Sequence, residues 1–202
     1  MRALKIIGGG ILAIVIILLA LGSLLPSEYR VERSAEIAAP PEAVFAHVNS
    51  LKRWDAWSPW IARDKSIDNS FSGPDEGAGA RVTWTSDGEG SGSQEITRSV
   101  PHTRIETHLD FGDQGSADAD WTFEATSSGT RVTWGMHGDM PGPLGGLIAS
   151  QMERFIGPDY EDGLTRLAKH VEAQPPPPPQ QPEAAAGADA GPPADAGTAP
   201  AS

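Results

Sequence analysis

The residues able to do chemistry in this chain do not fall into a familiar catalytic spacing. The five histidines, His47, His102, His108, His137 and His170, include no pair one helical turn apart beside a glutamate, the arrangement that holds a catalytic zinc. His108 and Asp110 share one strand face, opposite Ile105, Leu109 and Phe111, which makes them a solvent-facing pair. His137 points away from Trp134 and Met136 in the same alternation. Asp118 and Asp120 flank Ala119, again on the wet face, whereas paired carboxylates need burial to split their pKa values for acid–base work. No Gly-x-Ser-x-Gly elbow is present. Gly77-x-Gly79 precedes a strand and not a helix, the wrong context for a phosphate cradle. The chain has no cysteine, which removes thiol chemistry and disulfides. The expectation is therefore no catalytic residue, no metal and no cofactor.

What stands out instead is the aromatic and methionine inventory. Trp84, Leu109, Phe111, Trp121, Phe123, Trp134 and Met136 fall on the apolar faces of alternating segments. Met152, Phe155 and Tyr160 belong to a helical pattern that must face them. For any single one of these, ordinary core is the plainer reading. Together, around a sheet that curves about a helix, they line a cavity suited to a flat or acyl apolar ligand. Met152 adapts to such a shape. Trp54, Trp57 and Trp60, spaced three apart, sit where a cavity entrance would lie, or else plug one end.

The elements that must position these side chains are legible from periodicity. Tyr29 to Ile37 alternates as a first strand, and Pro40-Pro41-Glu42 opens a helix carrying Val44, Phe45 and Val48. Beyond Ser66 come about six strands separated by Gly, Pro, Asp and Ser, with Ile105 to Phe111 the clearest. From Leu144 to Val171 apolar residues recur at three- and four-residue steps, giving one long amphipathic helix or two collinear pieces. Gly157-Pro158 inside it predicts a kink. Successive strands with short turns and a closing helix make an α+β domain built on an antiparallel sheet.

Several pieces resemble the START-like (SRPBCC) superfamily, in particular its polyketide cyclase/dehydrase-like branch. They are the helix entry Ala39 to Phe45, the Trp54-Asp55-Ala56-Trp57-Ser58-Pro59-Trp60 segment, Gly77 to Trp84, Gly129 to Trp134, and the closing Asp162 to Lys169. The resemblance covers roughly 28–173. It implies a helix-grip, a curved antiparallel sheet of about seven strands wrapped around a long C-terminal helix, with an apolar cavity between them. Function transfers poorly, because one frame hosts ligand carriers, cyclases, hydrolases and co-chaperones.

Residues 1–27 and 174–202 lie outside that resemblance. Ile6 to Leu25 is an uncharged apolar run, long enough at about 1.5 Å per residue to cross a bilayer's hydrocarbon core. Ala20-Leu21-Gly22 also fits a signal-cleavage site, but the run continues past it through Leu24-Leu25, so an uncleaved single-pass anchor is the preferred reading. Arg2 and Lys5 before the run favour a domain on the extracytoplasmic side. The tail opens with Pro175 to Pro179 and continues in Ala, Gly, Pro and Asp, a composition that cannot offset its ordering entropy. With 15 Lys/Arg against 27 Asp/Glu, the net charge of −12 disfavours nucleic acid. The leading expectation is a membrane-anchored, non-catalytic domain that binds a hydrophobic small molecule or lipid. A polyketide cyclase/dehydratase-like enzyme, requiring a buried polar residue such as Gln94, Arg98 or Thr107 at the cavity, and an envelope protein-interaction module are the alternatives.

Overall fold

The computed structural model describes residues 2–174, and the expectation of a Pro/Ala-rich tail falls on residues outside these. Helix α1 (Arg2–Leu24) leads into strand β1 (Glu28–Ile37). After Pro40, whose fixed φ suits a helix entry, α2 (Pro41–Val48) buries Val44, Phe45 and Val48. A 3₁₀ turn (Leu51–Ala56) and the short α3 (Pro59–Arg63) follow. Six further strands run as β2 (Asp68–Ser72), β3 (Arg81–Thr85), β4 (Gly92–Val100), β5 (Arg104–Asp110), β6 (Ser116–Thr126) and β7 (Gly129–Asp139). The chain then forms α4 (Gly145–Ala149) and the long α5 (Met152–Glu172).

Every paired neighbour in the seven-stranded sheet is antiparallel, in the order β1-β7-β6-β5-β4-β3-β2. β1 returns to pair with the last strand, so the sheet is a meander with its first strand at the far side of β7. One face carries Val31, Ile37, Val132, Trp134, Ala119, Trp121, Phe123, Ile105 and Ile96, all buried. Against it α5 sets Met152, Tyr160, Leu164, Leu167 and Val171. This is the helix-grip, with the alternation of each strand deciding which side chains meet the helix.

A clamp of charge at the edge fixes the helix register. Arg33 on β1 donates from Nε to Glu161 Oε1 at 2.6 Å and places Nη1 2.6 Å from Glu153 Oε1. Gly157 lies between those two glutamates, and any side chain there would collide with the guanidinium. The helical pattern does separate into two pieces, but at Ser150-Gln151. Gly157-Pro158, where a kink is expected, lies inside α5, which is helical throughout Met152–Glu172. The break falls where Ser150 caps α4 by donating from Oγ to the Leu147 carbonyl at 2.7 Å.

Candidate ligand-binding cavity

The cavity begins with a cross-strand pair. Trp121 and Trp134 face each other directly across β6 and β7, with ring centroids 4.2 Å apart and planes inclined by 19°. Tyr160 from α5 stacks on Trp134 at 3.7 Å and 15°. Trp54 and Trp57 meet this stack edge-on, at 5.7 and 5.9 Å from Trp121. Trp60 does the same to Trp134 at 5.7 Å. Edge-to-face contacts of this kind add to the area these rings bury. The 3₁₀ turn supplies the approach: its tight geometry sends Trp54 inward, where Nε1 donates to the Val48 carbonyl at 3.1 Å. The α3 N-terminus is fixed by Ser58, whose Oγ accepts from the Ile61 N–H.

Beside the cluster, the sheet, the 3₁₀ turn, α3 and α5 enclose a cavity of about 210 Å³. Its apolar wall comes from Leu51, Val82, Trp84, Leu109, Phe111 and Ala119, with Trp134 and Met136 on β7 and Ile156 and Tyr160 on α5. Ligand pockets commonly measure about 300–1,000 Å³, so an occupant here is small or extends out through the mouth.

The sequence-predicted residues divide in a definite way. Trp84, Leu109, Phe111, Trp134, Met136 and Tyr160 line the cavity. Trp121, Phe123 and Met152 are buried in the core beside it and are not part of the lining. Phe155 departs from the expectation: α5 turns it outward, and it is 62% exposed. Of the three tryptophans expected at the entrance, Trp54 and Trp60 line the cavity, whereas Trp57 is 1% exposed and belongs to the core.

Polar lining residues set the chemistry. Gln94 lies in the inward register of β4 beside Ile96, is buried, and its amide makes no hydrogen bond among the described residues. A polar residue in an apolar register is the sequence signal that marks it. Thr107 is buried but does not line the cavity, and Arg98 is at the surface beside Glu106. Trp134 Nε1 is buried without a hydrogen-bond partner among the described residues, as are Trp57 Nε1, Trp121 Nε1 and Thr107 Oγ1. At the mouth stand Asp55 of the 3₁₀ turn, Asn69 of β2 and Glu89 of the β3–β4 loop, which sequence reasoning missed because the fold brings separate elements together there. Asn69 Nδ2 donates to Asp55 Oδ1 at 3.1 Å, and Arg63 Nε donates to Glu89 Oε1 at 2.7 Å. The β3–β4 loop is held there by Asp64, which accepts from the Ser86 and Ser66 hydroxyls and the Gly88 N–H. These hydrogen bonds, Ser86 foremost, hold its carboxyl well below the usual carboxylate range. Burial pushes the Tyr160 hydroxyl well above its ordinary value, so it stays neutral.

On the outer face the wet carboxylate pair of the sequence reading is only half wet. His108 Nδ1 meets its cross-strand partner Asp118 at 2.7 Å instead of Asp110. Asp120 is 7% exposed, because Arg30 reaches over Gly135 to donate from Nη1 to Asp120 Oδ1 at 3.1 Å. This Asp is a structural ion-pair partner on the face away from the cavity. Among the described residues no group of three or more His, Asp or Glu side chains could hold a metal ion.

Residues 28–172 match the family model described as polyketide cyclase/dehydrase and lipid transport. No curated protein matches the chain by sequence. Among solved structures, a protein from Chromobacterium violaceum superposes with a TM-score of 0.55 at 18% identity, covering 72% of this chain and 99% of that one. The di-domain ARO/CYC StfQ from the steffimycin biosynthetic pathway gives 0.55 at 10% identity, over 72% of this chain and 51% of its own. The Aha1 dimer from Colwellia psychrerythraea gives 0.53 at 15%, over 71% and 96%. At these identities the likeness shows the fold alone.

Proposed function

Residues 28–172 belong to the polyketide cyclase/dehydrase and lipid transport family, and from that premise we propose that the domain is a membrane-tethered binder of an uncharged apolar molecule. The observation that carries this reading is the composition of the cavity: aromatic and aliphatic walls, one buried amide at Gln94, and carboxylates at the mouth. An apolar wall favours a ring system or an acyl chain, through burial at roughly 25 cal/mol per Å². Gln94 offers a hydrogen bond to a carbonyl or hydroxyl on that molecule. Asp55 and Glu89 oppose a ligand carboxylate or phosphate, and no Lys or Arg lines the cavity to receive one.

The residues proposed as the binding site are those of the lining, with Trp54 and Trp60 at the entrance and Trp121, Phe123 and Met152 supporting from behind. Binding without turnover is favoured because the Ser58 hydroxyl is committed to capping α3, and Asp55 and Glu89 are engaged by Asn69 and Arg63. Under this reading residues 1–27 are the tether, 28–173 the binding domain and 174–202 a spacer. α1 is long and apolar enough over Ile6–Leu24 to cross a membrane or to act as a signal sequence. Under the same reading α1 is an uncleaved single-pass span, and Arg2 and Lys5 before it favour an extracytoplasmic domain.

The test is to purify the full chain in detergent and analyse organic extracts by mass spectrometry. A neutral apolar compound retained in stoichiometric amount is expected. Retention of an anionic lipid or fatty acid at that stoichiometry would contradict the assignment of ligand class.

A further inference from the structure

Beyond the apolar run that ends at Leu25, the exposed large hydrophobic residues among those described are Phe71, Leu144, Ile148 and Phe155. Three of these four sit at the α4–α5 corner, 41%, 46% and 62% exposed. The chain from Met140 to Met152 carries no charged residue, in a protein of net charge −12. Surface apolar residues scattered singly are normal, but a patch within an uncharged segment marks an interaction surface.

What that surface meets is fixed by its neighbour. Gly22 of α1 packs directly on the backbone of Pro143 and Leu144, so closely that any side chain there would collide with the Pro143 carbonyl. Gly146 of α4 packs in return on Leu25, with an added Cβ only 2.6 Å from Leu25 Cβ and 2.7 Å from the Gly22 carbonyl. Gly22 lies inside the apolar run that ends at Leu25, and at about 1.5 Å per residue this contact is only ~5 Å from the run's end. Residues 143–148 therefore stand level with the last turn of α1. Immediately after it, the Met140 N–H donates to the Ser27 carbonyl at 3.0 Å, tying the joint to the start of β1.

We propose that Leu144, Ile148 and Phe155 form a membrane seat: they rest in the interfacial layer of a lipid bilayer beside α1, holding the domain at a fixed tilt. The proposal rests on reading α1 as a span, and it assigns a second membrane contact that α1 does not itself provide. Two features fit that occupant. Arg154, exposed beside Phe155 and without an ion pair among the described residues, suits phospholipid phosphates, while Glu153 is turned to Arg33. The cavity lies at this same end of the sheet, where β1 begins, β7 ends and Leu109, Gln94 and Met136 line the wall. A seated domain thus carries its cavity next to the bilayer, and an apolar ligand passes between them over a short distance.

The absence of cysteine makes the test clean. The full chain is reconstituted in phosphatidylcholine vesicles with an environment-sensitive fluorophore on a single introduced cysteine, at Ile16→Cys, Ile148→Cys, Phe155→Cys or Glu124→Cys. Glu124 is exposed at the opposite end of β6 and serves as the aqueous control. The expected result is blue-shifted emission and quenching by shallow lipid-borne nitroxides at 148 and 155, deep quenching at 16, and iodide quenching at 124. If 148 and 155 behave like 124 while 16 is deep, the seat is overturned and the anchor stands. If 16 is also aqueous, both the anchor and the seat fail.

Discussion

Trp134 on β7 and Tyr160 on α5 stack at 3.7 Å between ring centroids, so the sheet and the long helix are joined by two flat rings at the inner end of the cavity. Trp121 stacks on Trp134 at 4.2 Å in the same stack. The cavity thus has a floor of stacked aromatic rings contributed by both the sheet and α5.

Removing the middle ring tests the floor. Trp134→Ala is expected to lower unfolding stability by about 3–5 kcal/mol, the range for deleting a fully buried large aromatic. Denaturant unfolding followed by near-UV circular dichroism measures it. A loss under about 1 kcal/mol would mean that the cluster collapses to refill the space.

Gln94 is expected to select among apolar ligands without driving their binding. Gln94→Leu should weaken a carbonyl-bearing ligand by roughly 5- to 10-fold, about 1–1.4 kcal/mol, and leave a hydrocarbon analogue of equal size unchanged or tighter. Competitive displacement of a neutral fluorescent probe reads both. Equal effects on the two ligands would remove Gln94 from the site.

Charge at the mouth predicts a preference by ligand type. A long-chain alcohol should bind more tightly than the matched carboxylate at neutral pH, and the gap should narrow in the double variant Asp55→Asn/Glu89→Gln. High salt should narrow it as well, because the mouth is open to solvent. The same displacement assay with paired alcohol and acid decides this.

His47 gives a pH dependence unrelated to the ligand. Its ring lies edge-on to His170 at 5.0 Å, and burial first, then His170 and Arg53, lower its pKa from 6.5. The side-chain contact with Gln174 acts weakly the other way. The fold therefore favours the neutral ring. This contribution is complete above 6.5 and is lost as pH falls from there toward the lowered folded value. His47→Phe should flatten the fall of Tm between about pH 7 and pH 5. An unchanged slope would place the acid sensitivity elsewhere.

The sheet was legible because its strands alternate with few interruptions: Ile105 to Phe111 and Val132 to Met136 turn inward residues that the structure buries or sets along the cavity wall. Local cover is what alternation cannot show. Asp120 occupies an outward register and is nevertheless buried, because Arg30 from two strands away crosses the space that Gly135 leaves open. The three-residue spacing of Trp54, Trp57 and Trp60 marked a segment at the cavity without resolving its members. A 3₁₀ turn followed by α3 sends Trp57 wholly into the core and leaves Trp60 half-buried at the wall. Phe155 follows Met152 at a helical step of three, yet Tyr160, Leu164, Leu167 and Val171 define the inward face of α5, and Phe155 falls to the side of it. The mouth carboxylates come from the 3₁₀ turn and the β3–β4 loop, a juxtaposition that no single segment of sequence encodes.

The central claim is most directly tested by closing the cavity from within. Ala119 lines it from β6, and Ala119→Phe grows a ring into the open space without touching the outer face. Titration of the full chain with a neutral apolar fluorophore should give saturable one-to-one binding in the native protein and at least about tenfold weaker binding in the variant, equivalent to about 1.4 kcal/mol, with an unchanged unfolding midpoint. Equal binding by both proteins would place the ligand outside this cavity and contradict the account.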